Sequence, residues 1–441
     1  MHPRYRQTCR VCGSVKLRPV IDLGDQFLQG SFLKPAVLLP PLRKLPTQLV
    51  RCDVTGDENA CGLLQLAHTF PPDILYANYW YRSGTNATMS NHLRDIVESG
   101  LELVPTPRTV LDIGCNDGTL LSYYPAETVR FGVDPSDIAN EIGGDVTVTN
   151  TVFPSPQAMA TLPSGGVDII SSIAMFYDLE DPVSFAEAIA EKLAPNGIWI
   201  FEMSYLPLMF LQNSFDTICH EHLEYYSLAV IEFIVRRANL RIFKVAINDI
   251  NGGSIRCYAC DASNDTYGSP EDRLLMHRLR IREFDMQFDT DVPYIAFQQR
   301  AERLRTELNR ILFDIRAAGQ RVHVYGASTK GNVLLQWCGI NRLIVDCAAE
   351  RNEQKIGART LGTDIAIVSE SESRAMKPDY YLVLPWHFRK EFLERERETI
   401  FAGTKLLFPL PEVEIVSRDN YDEACRRAVG GSDHLLSLMT D

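Results

Sequence analysis

The chain has 441 residues, 45% hydrophobic and 23% charged, a globular balance that excludes wholesale disorder. Its formal net charge of −13, from 57 acidic against 44 basic side chains, lacks the basic excess of a phosphate-backbone binder and argues against a nucleic-acid partner. The closest approach to a membrane helix, residues 197–212, is short and interrupted by Glu202, so no membrane span is expected.

Residues 1–18 are basic but carry no apolar stretch of the signal-peptide kind, and a cytoplasmic location is expected. An odd count of 11 cysteines, without an export signal, does not read as a disulfide framework. The length predicts roughly three domains, and a monomer is expected.

Residues 1–85 are rich in Pro, Leu and Cys, with short strand-like runs. Cys9, Arg10, Val11 and Cys12 form a Cys-x-x-Cys followed by Gly13; Cys52 and Cys61 come later, with eight residues between them and Gly62 after the second. Four thiolates in so small a segment can hold one tetrahedral zinc and supply folding energy that a short core lacks.

From 86 to 300 strand and helix signals alternate. Strands are predicted at 109–114, 129–134, 167–173 and 197–203, with helical periodicity at 119–124 and 182–193, the pattern of βαβ units on a parallel sheet. Residues 110–121 run from an apolar strand into a turn with Gly114 and Gly118, then toward a helix; the glycines let backbone approach a ligand at the strand's carboxyl end. Asp134 closes the next strand, 16 residues past Gly118, where a carboxylate can accept both hydroxyls of a ribose. The Gly-x-Gly-x-x-Gly pyrophosphate fingerprint is absent, which disfavours nicotinamide cofactors.

Residues 216–227 crowd His220, Glu221 and His222 beside Tyr225 and Tyr226. Histidine suits proton transfer near neutral pH. A metal reading lacks a third ligand and the His-Glu-x-x-His spacing, and a solvated polar loop is the bland alternative. Cys257 and Cys260 form a second Cys-x-x-Cys, but in a predicted strand residues three apart face opposite ways, so core filling is expected. Residues 270–318 read as helical. A second αβ pattern follows, with a strand at 321–325, a helix at 332–337 and strands at 343–347 and 380–384. The charged tail from 418 is expected to fray, with residues 435–439 able to dock.

The glycine turn, with Asp112, Gly114, Asn116, Asp117 and Gly118, resembles motif I of class I S-adenosylmethionine-dependent methyltransferases, and Asp134 matches their ribose ligand. The resemblance becomes specific when the cysteine segment, residues 79–84 (Tyr-Trp-Tyr-Arg-Ser-Gly), motif I, Glu221 and His222 with Tyr225 and Tyr226, and residues 251–254 (Asn-Gly-Gly-Ser) are taken in order. Together with residues 325–332 and 355–357 they resemble the sugar C-methyltransferases of deoxysugar and antibiotic pathways, over nearly the whole chain to about 418.

That likeness implies an α/β fold: a class I, Rossmann-like methyltransferase domain at 86–300, an N-terminal zinc-binding domain at 1–85, a C-terminal αβ domain at 301–417 that helps hold a nucleotide sugar, and a tail at 418–441. It implies S-adenosylmethionine and structural zinc on Cys9, Cys12, Cys52 and Cys61. The implied reaction is methylation at carbon 3 of a nucleotide-linked 4-keto-6-deoxyhexose, with His222 as base and Glu221 orienting it. Tyr81 is the favoured tyrosine of the stretch containing Tyr79, and it, Tyr225 or a backbone amide would stabilise an enolate. Where several members carry a tyrosine three positions before the His, this chain has Cys219.

Met175, Phe176 and Tyr177, at the end of the strand at 167–173, are expected to line the methyl-donor pocket. Ser328, Lys330 and Asn332, where a strand passes into a helix, are candidates for a diphosphate contact. His387 reads as a core or surface histidine, and Trp80 and Trp386 as packing. Competing readings are O- or N-methylation of a sugar or another small metabolite, and a non-catalytic zinc-containing protein that binds nucleotide sugars.

Overall fold

The computed structural model describes residues 3–34, 42–70, 82–85, 87–163, 166–428 and 431–440. Near the N-terminus, β1 (Leu17–Gln26), β2 (Leu45–Cys52) and β3 (Leu64–Leu66) form an antiparallel sheet. The outer edge of β3 is completed from far along the chain: the short strand Glu224–Tyr225 sets Glu224 opposite Gln65 and Tyr225 opposite Leu64. A segment read above as catalytic is thereby stitched into the N-terminal sheet.

The central sheet has seven strands: β4 (Thr109–Ile113), β5 (Val129–Val133), β6 (Val146–Thr149), β7 (Val167–Ile173), β8 (Leu193–Ser204), β9 (Leu240–Asn248) and β10 (Ser254–Asp261). Their spatial order is β9-β10-β8-β7-β4-β5-β6, with β10 alone antiparallel to its neighbours. The order reverses at β4, and in doubly wound sheets ligands bind at the carboxyl ends beside that point. Residues 197–203 in β8 are buried throughout, as a parallel strand covered on both faces requires. One face packs Trp199, Phe201 and Cys257 into a core with Phe176 and Phe185; the other packs Ile198, Ile200 and Cys260 against α1 (Ala87–Leu103) through Leu93 and Ile96. Cys257 and Cys260 therefore face opposite cores, as core filling demands.

After α2 (Pro182–Lys192), α3 (Pro270–Asp285) and α4 (Val292–Ala317) come β11 (Val322–Tyr325), α5 (Thr329–Cys338), β12 (Ala348–Glu350), β13 (Ile367–Ser369), β14 (Tyr380–Val383), β15 (Lys405–Phe408) and β16 (Glu414–Val416). These strands order as β13-β12-β11-β14-β15-β16, antiparallel only at β16. Leu49 and Leu64 from the N-terminal sheet, Phe297 and Leu308 from α4, and Val324 and Leu382 from this sheet share one core.

Three expectations change. No strand forms at 343–347: the Asn341 carbonyl accepts the N–H groups of Ile344 and Val345 at 2.9 and 3.1 Å, closing a turn that delays the strand to β12. The helix expected at 119–124 is a single 3-10 turn, Leu121–Tyr123, because Tyr124 is extended ahead of Pro125. The tail does not fray: α6 (Tyr421–Ala428) and α7 (Gly431–Thr440) follow, and Leu435 and Met439 are buried against the core that carries β9 and α3. Among the described residues no helix is long and apolar enough to cross a membrane.

Candidate active site

At the end of β4, Gly114 and Gly118 both adopt φ of +77°, and Asn116 a left-handed φ of +49°. A Cβ on Gly114 would stand 3.1 Å from Met175 Cγ, so only glycine leaves this turn open beneath Met175. Asp134 accepts the Asn116 N–H on Oδ2 at 2.8 Å, and on Oδ1 the N–H and hydroxyl of Ser136 at 2.7 and 2.5 Å. Oδ2 keeps a further lone pair for a ribose hydroxyl, and Oδ1 gains one if the Ser136 hydroxyl turns away. Asp112 lies buried below, accepting the Ser171 hydroxyl at 2.6 Å, and burial pushes its carboxyl up to about 7.

Residues 82–85 are pinned over the same turn. Ser83 N–H donates to Asn116 Oδ1 at 3.0 Å, Gly84 N–H to Asp117 Oδ2 at 2.8 Å, and Arg82 pairs with Glu141 at 2.8 Å. Tyr79, Trp80 and Tyr81 lie outside the described residues.

His222 Nδ1 stands 2.9 Å from the Thr217 carbonyl oxygen. A carbonyl only accepts, so Nδ1 carries the proton and Nε2 keeps the lone pair. Burial pushes this imidazole down to about 3, and the Lys330 ammonium acts the same way. The ring lies tilted at 54° to Tyr177, with centroids 4.4 Å apart, and the Tyr225 hydroxyl donates to the same Thr217 carbonyl at 3.4 Å. Beneath lies a cavity of about 10 Å³ lined by Tyr177, Ser204, Thr217, His222, Glu224 and Tyr225, room for about one water. His220 turns elsewhere, its N–H on Gln29 Oε1 and its ring edge-to-face with Phe70, so the two histidines do not converge on a metal.

Glu221 does not hold the His222 ring; the Thr217 carbonyl does. Glu221 Oε1 is packed on Gly30, where a Cβ would come within 2.2 Å of it, and Oε2 is buried without a hydrogen-bond partner among the described residues. Burial raises this carboxyl above its ordinary value.

The start of α5 closes the junction. Ser328 Oγ caps the helix by accepting the Gly331 N–H at 3.0 Å, and Asn332 Nδ2 donates to the Gln29 carbonyl at 2.7 Å. Lys330 Nζ donates to the Asn251 carbonyl at 2.6 Å, and burial lowers its pKa while Asp216 opposes that shift. Asp216 accepts the Trp386 indole N–H on Oδ2 at 2.8 Å. Among the described residues, the buried acceptors Asp216 Oδ1, Glu221 Oε2 and Asn332 Oδ1 have no hydrogen-bond partner, nor does His387 Nδ1. Such atoms are costly unless a ligand or water meets them.

Sequence reasoning gave no role to Asp216, Thr217 or Gly30, whose roles come from contacts across the fold, and it placed Tyr177 at the methyl-donor pocket rather than against His222. It also missed a buried cluster at the end of β8. There Glu202 meets His92 Nε2 at 2.5 Å, Arg256 Nε at 2.9 Å and Asn248 Nδ2 at 2.9 Å. Burial alone would raise the Glu202 carboxyl, but His92 and Arg256 outweigh it and hold it at about 2.

The sulfur atoms of Cys9, Cys12, Cys52 and Cys61 all lie within 4.8 Å of one another, with two pairs at 3.5 Å. Tetrahedral zinc at its usual Zn–S length needs sulfurs about 3.8 Å apart, so the four thiols fit the ion despite the stretched second pair.

A zinc-binding domain model matches residues 9–76, a methyltransferase domain model residues 86–245, and a C-methyltransferase C-terminal domain model residues 249–411. The C-methyltransferase NovU of Streptomyces niveus is 28% identical over 419 residues, 93% of this chain and 97% of that protein. Among solved structures, an S-adenosylmethionine-dependent methyltransferase from Clostridium acetobutylicum aligns at 14% identity and a TM-score of 0.31, over 40% of this chain and 92% of its own. Magnesium protoporphyrin IX methyltransferase from Synechocystis, with S-adenosylmethionine bound, aligns at 16% identity and a TM-score of 0.30, over 40% of this chain and 81% of its own. The cofactors are S-adenosylmethionine and a zinc ion on the four cysteines. With the three domain models in succession and a relative matched almost end to end, the chain is an S-adenosylmethionine-dependent C-methyltransferase, similar to NovU along nearly its whole length.

Proposed function

We propose that this enzyme methylates carbon 3 of a nucleotide-linked 4-keto-6-deoxyhexose, with His222 Nε2 as the base. A saturated ring carbon has no electron pair to offer, and a ketone at carbon 4 acidifies the carbon 3 proton. The supporting observation is the His222–Thr217 hydrogen bond, which leaves the Nε2 lone pair available on an imidazole that burial keeps neutral. The proton passes to Nε2 and the electron pair spreads onto the ketone oxygen. When bound, S-adenosylmethionine supplies the electrophilic methyl group.

The developing oxyanion needs a donor. Tyr225 already gives its hydroxyl proton to Thr217, which leaves Tyr81, a backbone amide or the Lys330 ammonium for that task. The unpartnered acceptors of Asp216, Glu221 and Asn332 suit the hydroxyl donors of a hexose. Lys330 supplies positive charge for a diphosphate, while Ser328 and Asn332 act by shaping the start of α5.

The test is incubation with a thymidine-diphospho-4-keto-6-deoxyhexose in deuterated water, followed by mass spectrometry and proton NMR. Deuterium at carbon 3 without cofactor, and one methyl there with it, is the expected result. Cofactor binding with neither change would overturn the carbon 3 assignment and direct the search to O- or N-acceptors.

A further inference from the structure

We propose that Arg10, inside the zinc knuckle, is a positioning residue for the base: through Glu224 it couples the metal centre to the segment that carries His222. The inference rests on the reading of His222 as base, and extends it to a part of the chain that otherwise serves only folding.

Arg10 lies between Cys9 and Cys12, and its side chain is 0% exposed. Nη1 donates to the Leu66 carbonyl at 2.7 Å and to Gln65 Oε1 at 3.2 Å; Nη2 donates to the His68 carbonyl at 3.1 Å and to Thr69 Oγ1 at 2.9 Å. These four bonds fix the guanidinium plane on β3 and the residues just after it. Nε makes no hydrogen bond and lies 3.7 Å from both Glu224 Oε1 and Glu180 Oε2. Glu180 is partly exposed and can be solvated. Glu224 is 0% exposed, and neither of its oxygens has a hydrogen-bond partner among the described residues. A buried carboxylate without a compensating cation is strongly unfavourable. Burial pushes the Glu224 carboxyl well above its ordinary value, and Arg10 opposes that rise.

Glu224 follows His222 by two residues and lines the cavity beneath its ring. It stands opposite Gln65, the residue whose side chain Arg10 holds, and Leu66 N–H bonds the Leu223 carbonyl at 2.8 Å. Arg10 thus grips one side of this ladder by hydrogen bonds and the other by charge. Its own direction is set by the knuckle turn, where Cys9 N–H bonds the Ser14 carbonyl at 2.8 Å and Gly13 N–H the Cys9 carbonyl at 3.0 Å. Metal ligation by Cys9 and Cys12 fixes that turn, and with it the side chain between them.

The experiment compares the full-length zinc-loaded protein with Arg10→Met, Glu224→Gln, the double variant and Arg10→Lys. Three quantities are read: zinc per chain by metal analysis, amide hydrogen exchange across residues 217–227, and carbon 3 deuterium exchange resolved into kcat and KM. Arg10→Met is expected to keep its zinc yet lose roughly tenfold in protection at residues 223–226. Its kcat should fall by about 10- to 100-fold with KM little changed, as for a misplaced reacting group. Adding Glu224→Gln should recover much of both losses, because no ionisable group is left facing the lost cation, and Arg10→Lys should lie between. Chelating zinc from the wild type should produce the same loss of protection. Wild-type protection and kcat in Arg10→Met, loss of its zinc, or no recovery in the double variant would each overturn the proposal. A wild type that exchanges no deuterium at carbon 3 would instead sink the assigned reaction, and the amide-exchange result would still decide the coupling.

Discussion

The Thr217 carbonyl oxygen sits 2.9 Å from His222 Nδ1, and that contact decides which imidazole nitrogen can act. Replacing His222 by Asn keeps a donor near Thr217 but removes the basic nitrogen. Carbon 3 exchange should fall by about 10²- to 10⁴-fold, while calorimetry finds S-adenosylmethionine affinity unchanged. Near-normal exchange in His222→Asn would remove this residue from the role.

The protonation of buried histidines predicts an acid-sensitive fold. Burial holds His222 and His220 down to about 3 and His68 to about 4. An unperturbed histidine titrates near ~6.5. Above that pH both the fold and the unfolded chain carry neutral rings, so the fold loses nothing. As pH falls below it, the unfolded chain takes up protons that the fold refuses, and stability declines until the folded values are reached. Tm should drop steadily from about pH 6.5 toward pH 4, and His220→Gln should flatten the slope. The acid limb of carbon 3 exchange should lie well below pH 6; a limb centred at the ordinary histidine value would mean that His222 is not shielded.

Asp134 makes the cofactor site testable separately from the chemistry. In Asp134→Asn the amide group faces either the Asn116 N–H or the Ser136 N–H, donor against donor, and the acceptor for a ribose hydroxyl is weakened. Loss of a hydrogen bond to a charged group, on the order of 1.5–3 kcal/mol, corresponds to a fall in S-adenosylmethionine affinity of roughly 10- to 100-fold. Calorimetry on protein of unchanged zinc content would show it, and an unaltered affinity would exclude Asp134 as the ribose ligand.

What was legible in the sequence is what local chain geometry dictates. Gly114 and Gly118 announce the turn because no other residue takes φ of +77° so readily, and Cys9 to Gly13 announce the knuckle because thiol spacing alone sets it. The junction was not legible, because Gly30, Asp216, Lys330 and Trp386 meet only after distant segments pack. Thr217 acts through its main-chain carbonyl, which leaves no trace in residue type. Glu221 reads as the orienting carboxylate by adjacency, yet it packs on Gly30 while His222 turns to Thr217.

Glu202 illustrates a buried charge that the sequence presents only as an interruption of an apolar run. Its carboxylate is shared by His92, Arg256 and Asn248. Glu202→Gln leaves the Arg256 guanidinium with Asp95 as its remaining charged partner. Destabilisation of about 3 kcal/mol is expected from breaking such a pair, read as a lower urea midpoint with an unchanged m-value. A midpoint within error of the wild type would mean that the cluster is already solvated.

Zinc removal gives the last prediction. The four cysteines occupy a loop-rich segment whose hydrophobic contribution is small: Cys9, Val11, Cys52 and Leu63 join the core that also holds Trp199 and Tyr226. With the ion gone, four thiols within 4.8 Å of one another have nothing to share their charge, and binding energy that served as folding energy is lost. Cys52→Ser should reduce bound zinc well below one ion per chain and lower Tm. The loss should begin in residues 9–63, seen as early proteolysis there, while the seven-stranded sheet still binds S-adenosylmethionine. If Cys52→Ser retains a full zinc ion and the wild-type Tm, the cluster is not the metal site.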